Sequence, residues 1–203
     1  MDDNLPDLVR IGLRARELRG GLGLTLDELA SRSHVSRSML SEVERGNRSP
    51  TVLVLDRIAT GLGTTLARLL RPEESGHSTG RGKSVVLRHR DQDVLRDPSG
   101  WERRILNPVL PGVEFEFMRT TLGPGVDAGI FDAHGPGSRE YLAVESGSLS
   151  LSLDGTTIAL AAGDSIYYGG DCAHGFSNPE DEPCVYYLVM DVSGHGARPV
   201  TAR

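Results

Sequence analysis

The sequence has little cysteine and no long apolar run, and both absences narrow the class of protein. Only two cysteines, Cys172 and Cys184, occur among 203 residues, which excludes a secreted disulfide framework and a four-ligand zinc motif. No stretch approaches the roughly 20 consecutive apolar residues that a membrane-spanning helix requires. The first ten residues, MDDNLPDLVR, are acidic where a secretory signal is basic and then apolar. These absences predict a cytoplasmic protein with reduced thiols.

The net charge of −6 is unevenly distributed along the chain. Residues 8–71 contain eleven arginines and six acidic residues, whereas residues 84–203 contain nine basic and seventeen acidic residues. A positive excess confined to one small region is typical of a domain that binds a polyanion. A solvated, arginine-rich helical surface has the same composition, so the functional assignment depends on motifs rather than on charge.

The first third of the chain has a helical period. Apolar residues between positions 8 and 70 recur in short segments that predict an all-α bundle of five helices. Thr25, with Glu28 three residues later, forms a capping box for the second helix. The third and fourth helices are predicted to follow Ser36 and Thr51, and a short last helix covers residues 65–70.

The rest of the chain has a period of two, which predicts an all-β domain. Leu149, Leu151 and Leu153 alternate with serines, and Asp154-Gly155 is a hairpin turn signal. Many short strands separated by turn residues imply a sandwich or barrel. The further predicted strands cover 84–89, 113–122, 139–146, 156–160, 165–168 and 184–191. The predicted organisation is therefore a helical domain (1–71), a linker (72–83), a β-domain (84–192) and a flexible tail (193–203).

Residues 22–52, LGLTLDELASRSHVSRSMLSEVERGNRSPTV, contain the pattern of a helix-turn-helix. The segment Ser33-His34-Val35 supplies a tight turn before a capped helix with a polar outer face. Arg37 is the candidate base-reading residue, because the fork of a guanidinium matches the two acceptors of guanine in the major groove. The other candidate DNA contacts, to bases or to phosphates, are Thr25, Ser36, Ser38, Ser41, Glu42, Arg45, Asn47 and Arg48.

The run VSRSMLSEVERGNRSPTVLVLDRIATGLG resembles the Cro/C1-type (XRE) helix-turn-helix family, and the resemblance covers about residues 8–70. It implies sequence-specific binding to double-stranded DNA. Many members have Gln just after the cap of the second helix, where this chain has Leu26, so a base or phosphate contact is not expected from that position.

Four polar residues of the β-domain are candidates for a binding site. Glu140 shares strand parity with Leu142 and Val144, and His174 shares parity with Phe176 and Asn178, so both predict side chains that face the interior. With His134, the two histidines and one carboxylate match a facial triad for a divalent metal. The alternative is that these groups hydrogen-bond an organic ligand, or one another, without a metal.

Residues 84–192 resemble the cupin family, which implies a double-stranded β-helix barrel. The first cupin motif corresponds to His134-Gly-Pro-Gly-Ser-Arg-Glu140 and the second to Gly163-Asp164…His174…Asn178. Metal-binding cupins usually have His-x-His in the first motif, and this chain has one histidine there. The resemblance implies one divalent ion (Fe, Zn, Ni or Mn) held by His134, Glu140 and His174, with Asp132 or water as a further ligand.

Three residues are further candidates for lining the pocket and binding an anionic or hydroxylated effector: Arg119, Tyr168 and Tyr187.

The main functional hypothesis is a transcriptional regulator. A short helix-turn-helix makes few contacts, so useful affinity requires two copies on half-sites about one helical turn apart. The hypothesis therefore predicts a homodimer on a palindromic operator, with dimer contacts in the barrel and an effector inside it. The alternative is a non-haem iron cupin enzyme, epoxidase- or dioxygenase-like, that retains a helix-turn-helix domain. The outward-facing Arg37, Arg45 and Arg48 favour the regulator.

Overall fold

The computed structural model describes residues 8–71, 84–113 and 115–191. The predicted linker (72–83) and the predicted tail (193–203) lie outside these ranges. The helical part contains five α-helices, as the sequence predicts. They are α1 (Leu8–Gly21), α2 (Leu26–Ser33), α3 (Arg37–Glu44), α4 (Val52–Gly61) and α5 (Leu66–Leu70).

The predicted helix starts are confirmed by cap hydrogen bonds. The Thr25 hydroxyl accepts a hydrogen bond from the Glu28 amide while the Glu28 carboxylate accepts one from the Thr25 amide, which completes the capping box. The hydroxyls of Ser36, Thr51 and Thr65 accept equivalent bonds at the starts of α3, α4 and α5. Each cap satisfies an amide that has no partner within its helix.

Two glycines allow the helices of the bundle to approach closely. A Cβ at Gly12 of α1 would lie 2.2 Å from the backbone oxygen of Val43 in α3, and one at Gly61 of α4 would lie 2.7 Å from Cβ of Ser33 in α2. His34 turns the chain between α2 and α3 in the left-handed conformation, with φ of 53°. α3 is therefore held against α1, while α4 is held against α2.

The described residues of the β-domain form ten strands in two sheets. One sheet has six strands in the order β1-β2-β3-β10-β5-β8, and the other has four in the order β4-β9-β6-β7. All the strand pairs are antiparallel. The strands are β1 (Val94–Asp97), β2 (Trp101–Ile105), β3 (Phe115–Leu122), β4 (Asp127–Phe131), β5 (Arg139–Ser146), β6 (Ser148–Leu153), β7 (Thr156–Ala161), β8 (Ser165–Gly169), β9 (His174–Ser177) and β10 (Cys184–Asp191).

The strand prediction at residues 84–89 is wrong. Residues 84–88 have no regular structure and a 3₁₀ turn begins at His89. The apolar run Val85-Val86-Leu87 suggested a strand, but Val85 and Val86 are exposed and pair with no strand of the described chain. The first two strands instead flank the turn at residues 98–100, where the sequence predicted none.

Strand alternation places one face of each sheet in the interior. Along β10 the side chains of Tyr186, Leu188 and Met190 are buried, and Met118 and Leu122 of β3 are buried beside them. Phe131 and Phe176 of the smaller sheet pack edge-on with ring centroids 5.6 Å apart. The polar site described below lies within this apolar interior.

The helical domain is docked on the β-domain through α4 and α5. The amide of Val52, at the start of α4, donates to the Asp97 carboxylate over 3.1 Å. The amide of Ala67 in α5 donates to the buried Glu116 carboxylate of β3. Polar groups of the β-domain thus satisfy the first-turn amides of two helices, and buried apolar residues of both domains form one continuous core.

Candidate functional site

The predicted DNA-contacting residues lie on α3, at its two ends and at the start of α2. Seven of them are exposed and two, Ser41 and Glu42, are half-buried, while Leu40 and Val43 on the opposite side of α3 are buried. Exposed residues are available to a partner, and the buried side fixes the orientation of the helix. The exposed members are Thr25, Ser36, Arg37, Ser38, Arg45, Asn47 and Arg48.

Arg37 occupies the N-terminal end of α3, where a recognition helix meets base edges. Its Nε lies 3.2 Å from Oδ1 of Asp27 in α2, and both side chains are more than half exposed. An ion pair between such exposed groups contributes little, so it can be exchanged for another acceptor at small cost. Arg45 pairs with Glu42 and also donates from Nε to the Ser41 carbonyl over 3.1 Å.

The β-domain brings His134, Glu140 and His174 together, as the sequence predicts. Nε2 of His134 lies 3.4 Å from Oε1 of Glu140, and Nε2 of His174 lies 3.5 Å from the same oxygen. One ligand atom from each residue lies within 4.8 Å of the others, and all three residues are buried. The set provides two imidazole nitrogens and one carboxylate oxygen directed at a common point.

Neighbouring groups orient this triad. Nδ1 of His174 lies 3.0 Å from the Cys172 carbonyl. A carbonyl oxygen can only accept, so Nδ1 donates this hydrogen bond, and Nε2 is the nitrogen that faces Glu140. The Tyr168 hydroxyl donates to Oε2 of Glu140. Oε1 of Glu140 is buried and has no hydrogen-bond partner among the described residues. Ligand residues supported in this way are typical of metal centres.

The charges of the triad depend on one another. Burial opposes ionisation of Glu140, but the nearby imidazoles of His134 and His174 outweigh it and lower the pKa of Glu140. Burial likewise opposes protonation of His134, but the nearby carboxylates of Glu140 and Asp56 outweigh it and raise the pKa of His134. The carboxylate is therefore available as an anionic ligand.

Three other predicted or suggested site residues have different roles. Arg119 and Tyr187 are neighbours on paired strands, but they lie on the outer side of their sheet, since Met118 and Leu188 beside them point inward. The pocket prediction for both is therefore wrong. Asp132 forms an ion pair with Arg57 of α4, with 3.1 Å between Oδ2 and Nε, and is not part of the triad.

Asn178 and Cys172 are also outside the ligand set. The Asn178 amide donates to the backbone oxygens of Gly123 and Glu182 over 2.9 and 2.8 Å, so it fastens two loops. The Cys172 thiol donates to the Gly169 carbonyl. Partial burial and nearby carboxylates raise the pKa of this thiol, which disfavours a reactive thiolate.

Comparison with known proteins supports both parts of the chain. A family model for Helix-turn-helix matches residues 16–69, and one for Cupin domain matches residues 118–190. The "HTH-type transcriptional regulator SutR" of Escherichia coli (strain K12) is 28% identical over 175 residues, 86% of this chain and 90% of that protein. The "Uncharacterized HTH-type transcriptional regulator y4dJ" of Sinorhizobium fredii is 39% identical over 64 residues, 32% of this chain and 83% of that protein. The chain belongs to the XRE-type helix-turn-helix transcriptional regulators with a cupin domain.

A solved structure has the same two-domain layout. The crystal structure of an HTH_3 family transcriptional regulator from Vibrio cholerae superimposes with a TM-score of 0.74 at 25% identity, over 91% of this chain and 96% of that chain. The curated relatives SutR and PuuR of Escherichia coli (strain K12), which match 86% and 85% of this chain, are both named HTH-type transcriptional regulators. This regulator is therefore not assigned an enzymatic activity, and the alternative of an iron-dependent enzyme is not favoured. Within the described ranges, none of the helices has the length and apolarity needed to cross a membrane.

The structure also reveals a residue of the regulator's site that sequence reasoning missed. Arg103 of β2 is buried with 2% of its surface exposed, and its guanidinium lies 5.0 Å from the ring centre of Phe131 and 5.4 Å from that of Trp101. Its parity with Trp101 and Ile105 was the available signal. A charged residue at an inward position is improbable in the absence of a partner, and that partner, Asp56, belongs to the helical domain.

Proposed function

We propose that this regulator binds a palindromic operator as a homodimer, with α3 in the major groove. We also propose that its cupin domain closes into a barrel that binds a metal ion and a small effector. The observation that carries the DNA part is the placement of Arg37 and its polar neighbours on one exposed surface, at the start of a helix held by buried Leu40 and Val43. Its family implies DNA binding in the cytoplasm, where its two free cysteines stay reduced.

The test of the DNA-reading face compares Arg37→Ala with Arg16→Ala. Both arginines are exposed, but Arg16 lies on α1, so the two variants lose the same charge at different places. After selection of an operator from random duplexes, Arg37→Ala is expected to lose about 1–3 kcal/mol of discrimination at one base position. Arg16→Ala should keep the preference of the native chain. An unchanged preference in Arg37→Ala would refute the assignment.

The donor set of the triad fits a divalent metal. Two histidine nitrogens and one carboxylate leave coordination positions open, and the unpartnered Oε1 of Glu140 is explained by a cation between the three residues. His134, Glu140 and His174 would hold the ion. A bound divalent ion would supply positive charge beside the two carboxylates of the pocket, Asp56 and Glu140, and a point of attachment for an anionic effector.

Metal binding is tested on the purified chain, which is first freed of metal with a chelator and then titrated with Zn²⁺, Fe²⁺, Ni²⁺ or Mn²⁺. One ion per chain is expected, and His174→Ala should lower the affinity by at least about tenfold through loss of one ligand. His89→Ala is the matched control because His89 is exposed, outside the triad. Equal affinities in the two variants would place the metal elsewhere, and no binding at all would leave an organic ligand as the occupant.

The homodimer is supported by an aromatic patch on the outer face of the larger sheet. Tyr141 and Tyr167 are 53% and 55% exposed, with ring centroids 5.0 Å apart, and Phe117 and Tyr187 pack together beside them. Exposed aromatic groups of this kind are typical of protein interfaces. Tyr167→Lys is expected to shift the sedimentation equilibrium from dimer to monomer without unfolding the chain. A persistent dimer would exclude this face.

A further inference from the structure

The interior pocket of the cupin domain is covered by a residue of the DNA-binding domain. Besides the triad, the groups that line it include Arg103 and Asp56, and Asp56 belongs to α4. The space among these residues is about 10 Å³, which is enough for one water molecule or one ion. An organic effector does not fit in this arrangement of the lining residues.

Arg103 is a cation with few satisfied donors in this pocket. Its Nη1 lies 3.9 Å from Oδ1 of Asp56, too far for a hydrogen bond. Its Nε reaches the Thr120 hydroxyl at 3.4 Å, and its Nη2 has no hydrogen-bond partner among the described residues. A planar guanidinium with free donors favours a carboxylate or a similar oxoanion that accepts two hydrogen bonds at once.

Asp56 holds its position through the contacts of α4. At the start of the helix the Val52 amide donates to Asp97. Arg57, the residue after Asp56, pairs with Asp132 of the cupin domain. Leu53 lies against the backbone at Gly129, where an added Cβ would be 3.3 Å away. The described parts of α1, α4 and β1 leave a groove of about 240 Å³ beside these contacts, so the described residues do not pack closely in this part of the interface.

We propose that the pocket takes a small organic anion whose carboxylate replaces Asp56 on Arg103, and that its entry displaces α4 from the cupin domain. The inference rests on the proposed function, since it assumes that the effector binds in the cupin domain. Because Gly61 of α4 packs against Ser33 of α2, the displaced helix takes the helix-turn-helix with it. Binding of the anion and docking of α4 on the cupin domain then compete. The factor by which docking weakens anion binding equals the factor by which the anion weakens docking.

Affinity for malonate provides the first test, with malonamide as an uncharged molecule of similar shape. The full-length chain is titrated metal-free and with one equivalent of Zn²⁺. A ligand that binds only an undocked minority is weakened by the size of that minority. Asp56→Asn, which removes the competing carboxylate, should therefore bind malonate at least about tenfold more tightly than the native chain. Malonamide should not bind.

Arg57→Gln distinguishes displacement from a simple charge effect. The variant removes a positive charge near the pocket, so electrostatics alone predicts weaker malonate binding. Because Arg57 holds α4 through Asp132 and does not line the pocket, the proposal predicts binding about twofold to fivefold tighter, the worth of a partly exposed ion pair. Arg103→Lys keeps the charge but loses the fork, and should bind about tenfold more weakly.

Two backbone amides report the displacement directly. Val52 and Ala67 donate across the domain interface to Asp97 and Glu116, so their ¹H–¹⁵N signals should move upfield when malonate binds, in either metal state. A dispersed spectrum also shows that each variant is folded.

The proposal is overturned if Asp56→Asn or Arg57→Gln binds malonate no more tightly than the native chain, or if the two amide signals stay in place at saturation. Failure of Asp56→Asn to bind malonate up to about 50 mM, far above millimolar affinity, has the same consequence. None of these readouts involves DNA, so loss of the proposed function is recognised separately, by absence of operator binding in the native chain.

Discussion

Replacing Glu116 by glutamine should change how the stability of the regulator depends on pH. Glu116 is fully buried on β3 beneath the start of α5, and burial raises the pKa of its carboxyl from 4.5 to about 7. The Ala67 amide and the charges of Arg103 and His134 lower this pKa, while the charge of Asp56 raises it. Because the folded chain holds this proton more tightly than the unfolded chain, its stability falls as pH rises.

The size of the effect follows from the two pKa values. Well below pH 4.5 the carboxyl is neutral in both the folded and the unfolded chain, and well above pH 7 it is charged in both. At about 1.4 kcal/mol per pH unit, the folded chain loses about 3 kcal/mol across that window. Most of the loss, about 2–3 kcal/mol, falls between pH 5 and pH 8. Glutamine carries no charge at any of these values, so Glu116→Gln should not show this loss.

Urea denaturation of both chains from pH 5 to pH 8 measures the difference. Other carboxylates titrate equally in the native chain and the variant, so the difference in unfolding free energy isolates Glu116. The unfolding free energy of the variant should increase steadily relative to that of the native chain as pH rises. Glu145→Gln, at an exposed position, controls for the loss of one carboxylate. The reasoning is refuted if the difference in unfolding free energy stays constant across the range, or if the variant becomes less stable relative to the native chain at high pH.

Two further predictions concern packing and the triad. Gly12→Ala places a methyl group 2.2 Å from the Val43 oxygen and should destabilise the chain by about 1–3 kcal/mol. Gly20→Ala, in the same helix, should be neutral or stabilising, because a Cβ added at Gly20 has no neighbouring atom within 4 Å among the described residues. Equal melting temperatures of the Gly12→Ala and Gly20→Ala variants would contradict this account. Tyr168→Phe removes the hydrogen bond to Glu140 and should weaken metal binding about 10- to 100-fold in calorimetric titration. An unchanged affinity would show that the hydroxyl does not support the ligand.

Much of the helical domain was predictable because its signals are local. A capping box such as Thr25 with Glu28 acts within four residues, and the buried positions of each helix follow from its period. The strands were harder to predict where the alternation is broken. β2 has Arg103 at an inward position, β4 contains Gly129 with φ of 87°, and β9 has only four residues.

The site was predictable within each domain and unpredictable between them. Strand parity places Glu140 and His174 in the interior, and correct use of the same rule would have placed Arg119 and Tyr187 outside. The sequence has no signal that brings Asp56 next to Arg103, since the two are joined only by the docking of one domain on another. Such contacts depend on the assembled surfaces rather than on local pattern.

The single tryptophan of the sequence lies where the two domains meet. Trp101 is 4% exposed and packs against both Arg103 and Phe131, and its strand partner Asp97 holds the start of α4. Its ultraviolet emission consequently comes from one place in the molecule, without any label or engineered reporter. Libraries of unmodified metabolites can therefore be surveyed for effectors by the intrinsic fluorescence of the native chain.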